Sequence, residues 1–252
     1  MNATELAPEP TETLDRLAAE WWIFQLERGH RYSTDDVLLA WTASRASPAA
    51  KRVLDLGAGV GSVGLMTLLG LTPDARLTSV EVQARSAALM RKTVAMNALS
   101  DRVEVRCGDL RDPEVLTEGE RFDLIVANPP YLPAGDALVS PVPQRAAARL
   151  ELHGDVFDFC RAAASRLADD GRFCFCHGAD DARPERAVIE AGLDLLSRQL
   201  VIFREGQPPA IALHVCGRGG QRRDRLSLTV RGRDGERTEQ FRAVRRAMLI
   251  EA

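Results

Sequence analysis

Val53-Leu54-Asp55-Leu56-Gly57-Ala58-Gly59-Val60-Gly61 carries an apolar strand into a glycine loop, and the apolar run Val63 to Leu71 behind it reads as a helix. Strand, glycine loop and helix in that order form a nucleotide-type loop. Glycines let the backbone approach a ligand closely, and the helix N-terminus offers N–H groups at the positive end of its dipole. A second strand, Ala75 to Val80, ends at Glu81-Val82, where a carboxylate can accept both hydroxyls of a ribose. A third, Val103 to Cys107, runs into Gly108-Asp109-Leu110, an acid placed where an adenine amino group can lie. The fourth, Phe122 to Ala127, delivers Asn128-Pro129-Pro130-Tyr131. Strands alternating with helices predict an α/β fold whose parallel strands present their C-terminal ends, and these side chains, on one edge.

The Asn128-Pro129-Pro130-Tyr131 box suits methyl transfer onto an amide-like nitrogen. The lone pair of an adenine or carboxamide NH2 is delocalised, so the nitrogen must be drawn toward tetrahedral geometry. The Asn128 side-chain oxygen and the Pro129 carbonyl can each accept one N–H, which aims the lone pair at an electrophilic carbon. Pro129 and Pro130 stiffen the loop and donate no N–H, and Tyr131 offers a flat face for a planar substrate. A plain turn after a strand would also favour Asn and Pro. The matching ligand loop upstream selects the chemical reading.

Gly59-Val60-Gly61-Ser62-Val63-Gly64 also satisfies the dinucleotide pattern G-x-G-x-x-G, with Glu81 near the expected downstream distance. Two acids and the tetrapeptide argue against a nicotinamide dinucleotide. Asp55 can reach a ligand ammonium group, which S-adenosylmethionine has and NAD lacks, and the Asn-Pro-Pro-Tyr box has no hydride-transfer role. S-adenosylmethionine, leaving as S-adenosylhomocysteine, is the expected cofactor.

Over most of residues 20 to 217 the chain resembles the class I S-adenosylmethionine-dependent methyltransferases, and within them the bacterial tRNA1(Val) adenine-37 N6-methyltransferase family. The resemblance rests on Asp55 to Gly61, Glu81, Asp109, the Asn-Pro-Pro-Tyr box and an upstream segment, Gly29-His30-Arg31-Tyr32-Ser33-Thr34-Asp35-Asp36-Val37-Leu38-Leu39-Ala40. It implies a Rossmann-like sheet of seven strands with helices on both faces and an antiparallel terminal hairpin. It further implies cofactor contacts from Thr34, Asp35, Asp55, Gly57, Ala58, Gly59, Gly61, Glu81, Val82, Asp109, Leu110 and Asn128. It implies catalytic roles for Asn128, Pro129, Pro130 and Tyr131, and substrate contacts near the entrance for Arg31, Arg145 and Arg149, with salt pairing to Glu151 or Asp155 as the alternative for the last two. Thr34-Asp35 would lie beside the methionine end of the cofactor. Ser33 with Asp36 three residues on is also a capping-box start for a helix through Trp41.

Composition fits one enzyme domain: 252 residues with 45% hydrophobic content can bury a large core. No apolar stretch is long enough for a membrane span and the start lacks a secretory pattern, so a cytoplasmic protein is expected. The five cysteines form no C-x-x-C pair and read as reduced packing residues. In Cys174-Phe175-Cys176-His177 a strand puts the cysteines on one face and His177 on the other, so no metal site is expected.

Residues 1–20 are expected as a disordered N-terminal extension, 21–217 as the catalytic domain with a helical segment at 33–45, and 218–252 as a small basic appendage packed on it. Trp21 to Leu26 reads as a strand or hairpin arm, Pro133 to Pro143 as a flap over the substrate, and Gln144 to Leu152 as a helix carrying Arg145 and Arg149. A helix is expected over Asp155 to Leu167, strands near Arg172 to Cys176, Leu195 to Phe203, Ala210 to Cys216 and Arg225 to Arg231, and a helix from Glu239 to Ile250. The net charge is −3, yet Arg218 to Arg246 holds ten arginines against Asp224, Asp234, Glu236 and Glu239. Any RNA affinity must come from such a patch, unless the tail is only a solvated surface. RNA, foremost tRNA, is the expected partner of a monomer that needs neither metal nor membrane. The box would grip a glutamine carboxamide or a small-molecule amine equally well, and a protein that only binds the cofactor or scaffolds RNA is the non-enzymatic alternative.

Overall fold

The computed structural model describes residues 6–131, 144 and 150–250. Its strands are β1 Glu12–Ala18, β2 Trp21–Leu26, β3 Arg52–Leu56, β4 Arg76–Glu81, β5 Val103–Cys107, β6 Phe122–Ala127, β7 Leu167–Gly178, β8 Asp194–Arg204, β9 Ile211–Gly217 and β10 Arg225–Arg231. Its helices are α1 Thr34–Ala46, α2 Ser62–Leu69, α3 Ala84–Met96, α4 Val156–Arg166, α5 Arg183–Glu190 and α6 Glu239–Ala247. The main sheet runs β10-β8-β9-β7-β6-β3-β4-β5. From β5 to β7 neighbouring strands are parallel, and β9 enters antiparallel between β7 and β8.

The parallel strands are buried on both faces, and their alternation sorts two cores. Val53, Leu124, Val126, Cys174 and Cys176 face one cluster with α1, α2 and α3, whereas Leu54, Leu56, Ile125, Phe173 and Phe175 face the other with α4 and α5. Along β7, therefore, both cysteines pack inward, and no metal-binding group of His, Cys, Asp and Glu occurs among the described residues.

Two expectations need correction. The main sheet has eight strands rather than seven, because β10 adds to β8 in parallel at the edge: the pattern of a short strand was visible, its pairing partner was not. Residues 12–18 are not part of a disordered extension. They pair antiparallel with β2, the Glu12 carboxylate is buried against Lys92 (2.6 Å) and Arg85 (2.8 Å) of α3, and Leu17 enters the core. The polar composition there hides one paired acid and one anchor. Asn97 closes the outer edge of β2 by bonding both backbone polar groups of Trp22.

The anticipated flap over 133–143 and most of the 144–152 helix, with Arg145 and Arg149, lie outside the described residues. Among the described residues no helix is long and apolar enough to cross a membrane.

Candidate active site

A cavity opens at the C-terminal edge of β3, β4 and β6, where the strand order reverses. Its floor is the glycine loop. Gly57 and Gly59 hold φ of +67° and +58°, and Gly61, the N-cap of α2, holds +91°, a region that strains any other residue. A Cβ on Gly59 would meet nothing within 4 Å, so that face stays open to a ligand. A Cβ on Gly64 would fall 2.6 Å from Asp55 Oδ2, and only a bare glycine allows its N–H to donate to that oxygen at 3.0 Å.

Three acids face this space. Asp55 is the penultimate residue of β3 and is 1% exposed; burial pushes its carboxyl up to about 7. Glu81 ends β4, accepts the N–H groups of Gly59 and Gln83, each at 2.8 Å, and is also raised by burial. Asp36 comes from the first turn of α1. It is 3% exposed, and burial followed by the neighbouring Asp35 charge raises it to about 7. A cavity walled by buried acids over an open glycine loop fits a ligand that carries both a nucleoside and positive charge, as S-adenosylmethionine does.

Asp36 also reaches Asn128. The Asn128 Nδ2 donates to Asp36 Oδ1 at 2.7 Å, while Ser62 Oγ and the Ser33 N–H donate to Oδ2, both at 3.1 Å. A carboxylate accepts only, so this contact sets the Asn128 amide with its Nδ2 toward Asp36 and its oxygen elsewhere. That oxygen receives the Tyr131 hydroxyl, which also lies against Asp35 and the Cys176 thiol. Burial raises both the Tyr131 hydroxyl and the Cys176 thiol well above their ordinary values, so each is a neutral hydrogen-bonding group. The Tyr131 ring packs on His177, centroids 5.2 Å apart. Arg183 of α5 holds the strand-to-loop exit from below, reaching Glu151 at 2.9 Å and the Tyr131 carbonyl at 3.5 Å.

Of the residues anticipated from sequence, Asp55, Gly57, Ala58, Gly59, Glu81, Val82, Leu110, Asn128 and Pro130 line the cavity. Gly61 and Asp109 are not among the lining residues: Gly61 is the N-cap of α2, and Asp109 is held by Arg111 at 2.5 Å. Thr34 lines a separate groove with Arg31, and Asp35 touches Tyr131 rather than the cavity wall. Arg31 pairs with Asp15 at 2.7 Å. Tyr131 is not a wall of the cavity in this arrangement.

Sequence reading missed Asp36 as a site residue, having given it only a capping role. It also missed His153 and Phe159, which enter the wall at and near the start of α4, and Gln144, whose Oε1 accepts the His30 N–H at 2.6 Å. The spacing Ser33 to Asp36 signalled a cap, and nothing local signalled a partner 92 residues away.

The methyltransferase small domain family matches residues 35–176 of the chain. The chain is 38% identical over 178 residues to a tRNA1(Val) (adenine(37)-N6)-methyltransferase of Porphyromonas gingivalis, covering 69% of this chain and 68% of the relative. It is 33% identical over 184 residues to the protein of that name from Bacteroides thetaiotaomicron, covering 71% and 73%. Among solved structures, one described as a predicted O-methyltransferase from Agrobacterium tumefaciens superposes with a TM-score of 0.60 at 20% identity, over 87% of this chain and 99% of the other, and shares the fold. The match spans both halves of the site, from α1 to β7, and the chain belongs to the methyltransferase small domain family of S-adenosylmethionine-dependent methyltransferases, in the group of the bacterial tRNA1(Val) (adenine(37)-N6)-methyltransferases.

Proposed function

We propose that this enzyme methylates the exocyclic amino group of an adenine in RNA, with a tRNA adenine near the anticodon as its substrate, and that it acts in the cytoplasm. The observation that carries the reading is the Asn128 amide, oriented by Asp36 at the mouth of an acidic, glycine-floored cavity. The names of the relatives support the choice of RNA.

Asp55, Glu81 and the loop Gly57 to Gly59 would hold S-adenosylmethionine, which supplies an electrophilic methyl carried on a positively charged sulfur. Asn128 Oδ1 accepts one substrate N–H on the lone pair that the Tyr131 hydroxyl leaves free, and the Pro129 carbonyl accepts the other. With both hydrogens held, the nitrogen lone pair points along a fixed line of attack. The new N–C bond forms as the S–C bond breaks, and the surplus proton, acidic once the nitrogen carries the methyl, leaves to water. No side chain has to serve as a base. Tyr131 supplies the stacking face when its ring turns from His177 toward the base, and a base in an RNA loop is unstacked more cheaply than one in a duplex.

The test is transfer of labelled methyl from S-adenosylmethionine to total tRNA, with rRNA and total protein as parallel acceptors, followed by nucleoside analysis. N6-methyladenosine in tRNA is expected, and Asn128→Ala should lose most of it while keeping cofactor affinity nearly intact. Label in protein alone would replace the substrate with a carboxamide, and equal loss of cofactor binding would remove the role given to Asn128.

A further inference from the structure

The arginine-rich C-terminal segment is folded around a cavity of its own. β10 and α6 are joined by a tight turn closed by the Gly235 N–H on the Gly232 carbonyl and the Gly232 N–H on the Glu236 carbonyl. The Thr238 side chain caps α6 by accepting the Phe241 N–H, and Phe241, Val244 and Met248 anchor the helix in the core. With that face fixed inward, Arg242, Arg245 and Arg246 line a cavity together with Arg231 and Arg237. Among the described residues Glu236 is the one acid in its wall, and it stands 3.9 Å from Arg242.

This arrangement brings like charges close together, and a bound anion would offset their repulsion. Arg231 and Arg237 pair directly across the antiparallel turn, where like charges repel. Arg245 is held below the ordinary arginine value by burial and then by the charge of Arg237. Some arginines of the segment are matched: Arg233 to Glu205 at 3.4 Å, Arg222 to Glu185 and Asp224 at 3.0 and 2.9 Å, and, on the cavity itself, Arg246 to Glu239. Five of the ten arginines between 218 and 246 nevertheless converge on one concavity. Planar guanidinium forks converging on a hollow suit phosphate oxygens, which they grip in pairs.

The cavity also adjoins the site. Arg245 forms a wall of the neighbouring groove with Arg31, Ser33 and Thr34, at the start of α1. The next two residues, Asp35 and Asp36, touch Tyr131 and Asn128. We propose that the cavity between β10 and α6 binds backbone phosphates of the RNA substrate, seating the strand that flanks the target adenine along the start of α1. The proposal rests on the RNA reading above, and it concerns positioning of the substrate rather than the chemistry.

The experiment is equilibrium binding of fluorescently labelled tRNA across a salt series. It compares the wild type, the double variant Arg237→Gln with Arg242→Gln, and Arg233→Gln as a matched control outside the cavity. Glutamine keeps the reach and polarity while removing the charge. The double variant should bind tRNA about tenfold more weakly at 0.1 M salt, and its slope of log K against log salt should fall by roughly one to two, because each phosphate contact contributes close to one unit. Arg233→Gln should stay within about twofold of wild type. Cofactor affinity should be unchanged in all three, which reports an intact fold, and methyl transfer by the double variant should show a raised KM for tRNA with kcat retained. A double variant with wild-type affinity and slope overturns the phosphate site, while tRNA methylation by the wild type leaves the proposed function standing. A wild type that transfers no methyl to any RNA overturns both.

Discussion

Asp36 does two jobs with one carboxylate. Through Oδ2 it takes the Ser33 N–H and so fixes the start of α1, and through Oδ1 it takes Asn128 Nδ2 and so fixes which end of the amide faces the substrate. An ionised carboxylate enforces one orientation, whereas a protonated one can also donate and permits the amide to turn over. Burial and the Asp35 charge place this carboxyl at about 7, so the share of correctly turned Asn128 grows as pH rises through that value in the free enzyme. A bound cationic cofactor favours the carboxylate and moves the same limb to lower pH. The expected outcome is a rise of kcat/KM through about pH 7, with the limb in kcat displaced downward. Asp36→Asn should remove the limb and lower the plateau by about a hundredfold, the scale of losing alignment at a reacting centre. A variant that is slow but keeps the wild-type pH profile would assign Asp36 to helix capping alone. The capping half of this role was legible, since Ser33 and Asp36 are three residues apart; the Asn128 half depends on α1 packing over the end of β6, which no local pattern encodes.

At the level of elements, the loop between β3 and α2 separates two kinds of glycine. Gly59 and Gly61 both hold positive φ, so a side chain at either strains the backbone by about 1–2 kcal/mol. Their surroundings differ. A Cβ on Gly61 would sit 2.7 Å from Met90 Cε and 2.8 Å from its Cγ, which pushes on α3, whereas a Cβ on Gly59 would enter the open space where a ligand lies. Gly61→Ala is therefore expected to lower Tm more than Gly59→Ala. Gly59→Ala should weaken S-adenosylmethionine binding more than its modest loss of stability accounts for. Thermal melts and cofactor titration of the two variants check this, and a reversed ranking would place Gly59 outside the cofactor's reach. The loop and its strand were read correctly from an apolar run and glycine spacing, and β4, β5 and β6 from the short runs that end at Glu81, Gly108 and Asn128. What sequence could not supply was lateral pairing: β10 has the pattern of a strand, but its place is the edge of β8 opposite β9, which the sheet topology and not the local pattern defines. In the same way β1 needed the basic residues of α3 before its buried Glu12 made sense.

Across the whole molecule, buried groups pull stability in opposite directions as pH changes. His177 and His214 are kept neutral by burial, at about 4 and about 3. Their folded values lie below the unfolded one, so the folded state gains stability as pH rises from about 4 toward 6.5. Asp55 has the opposite sign. Its folded value of about 7 lies above the ordinary 3.8, so the folded state holds a proton that the unfolded chain has already lost, and stability falls as pH climbs through that window and then levels off. In Asp55→Asn the acid's contribution disappears while both histidines remain, and the amide oxygen still accepts the Gly64 N–H. The difference in Tm between variant and wild type therefore isolates Asp55. The variant should gain on the wild type by several degrees between pH 5 and pH 8, since about 1 kcal/mol moves Tm by roughly 2–4 °C in a chain of this size. Saturating S-adenosylmethionine should narrow that gain at pH 8, because a cation beside the carboxylate offsets its cost in the wild type and finds no charge in the variant. Melting curves at both pH values, with and without cofactor, decide it: a difference independent of pH would mean that Asp55 stays ionised in the fold, and a gain untouched by cofactor would mean that the ammonium group binds elsewhere.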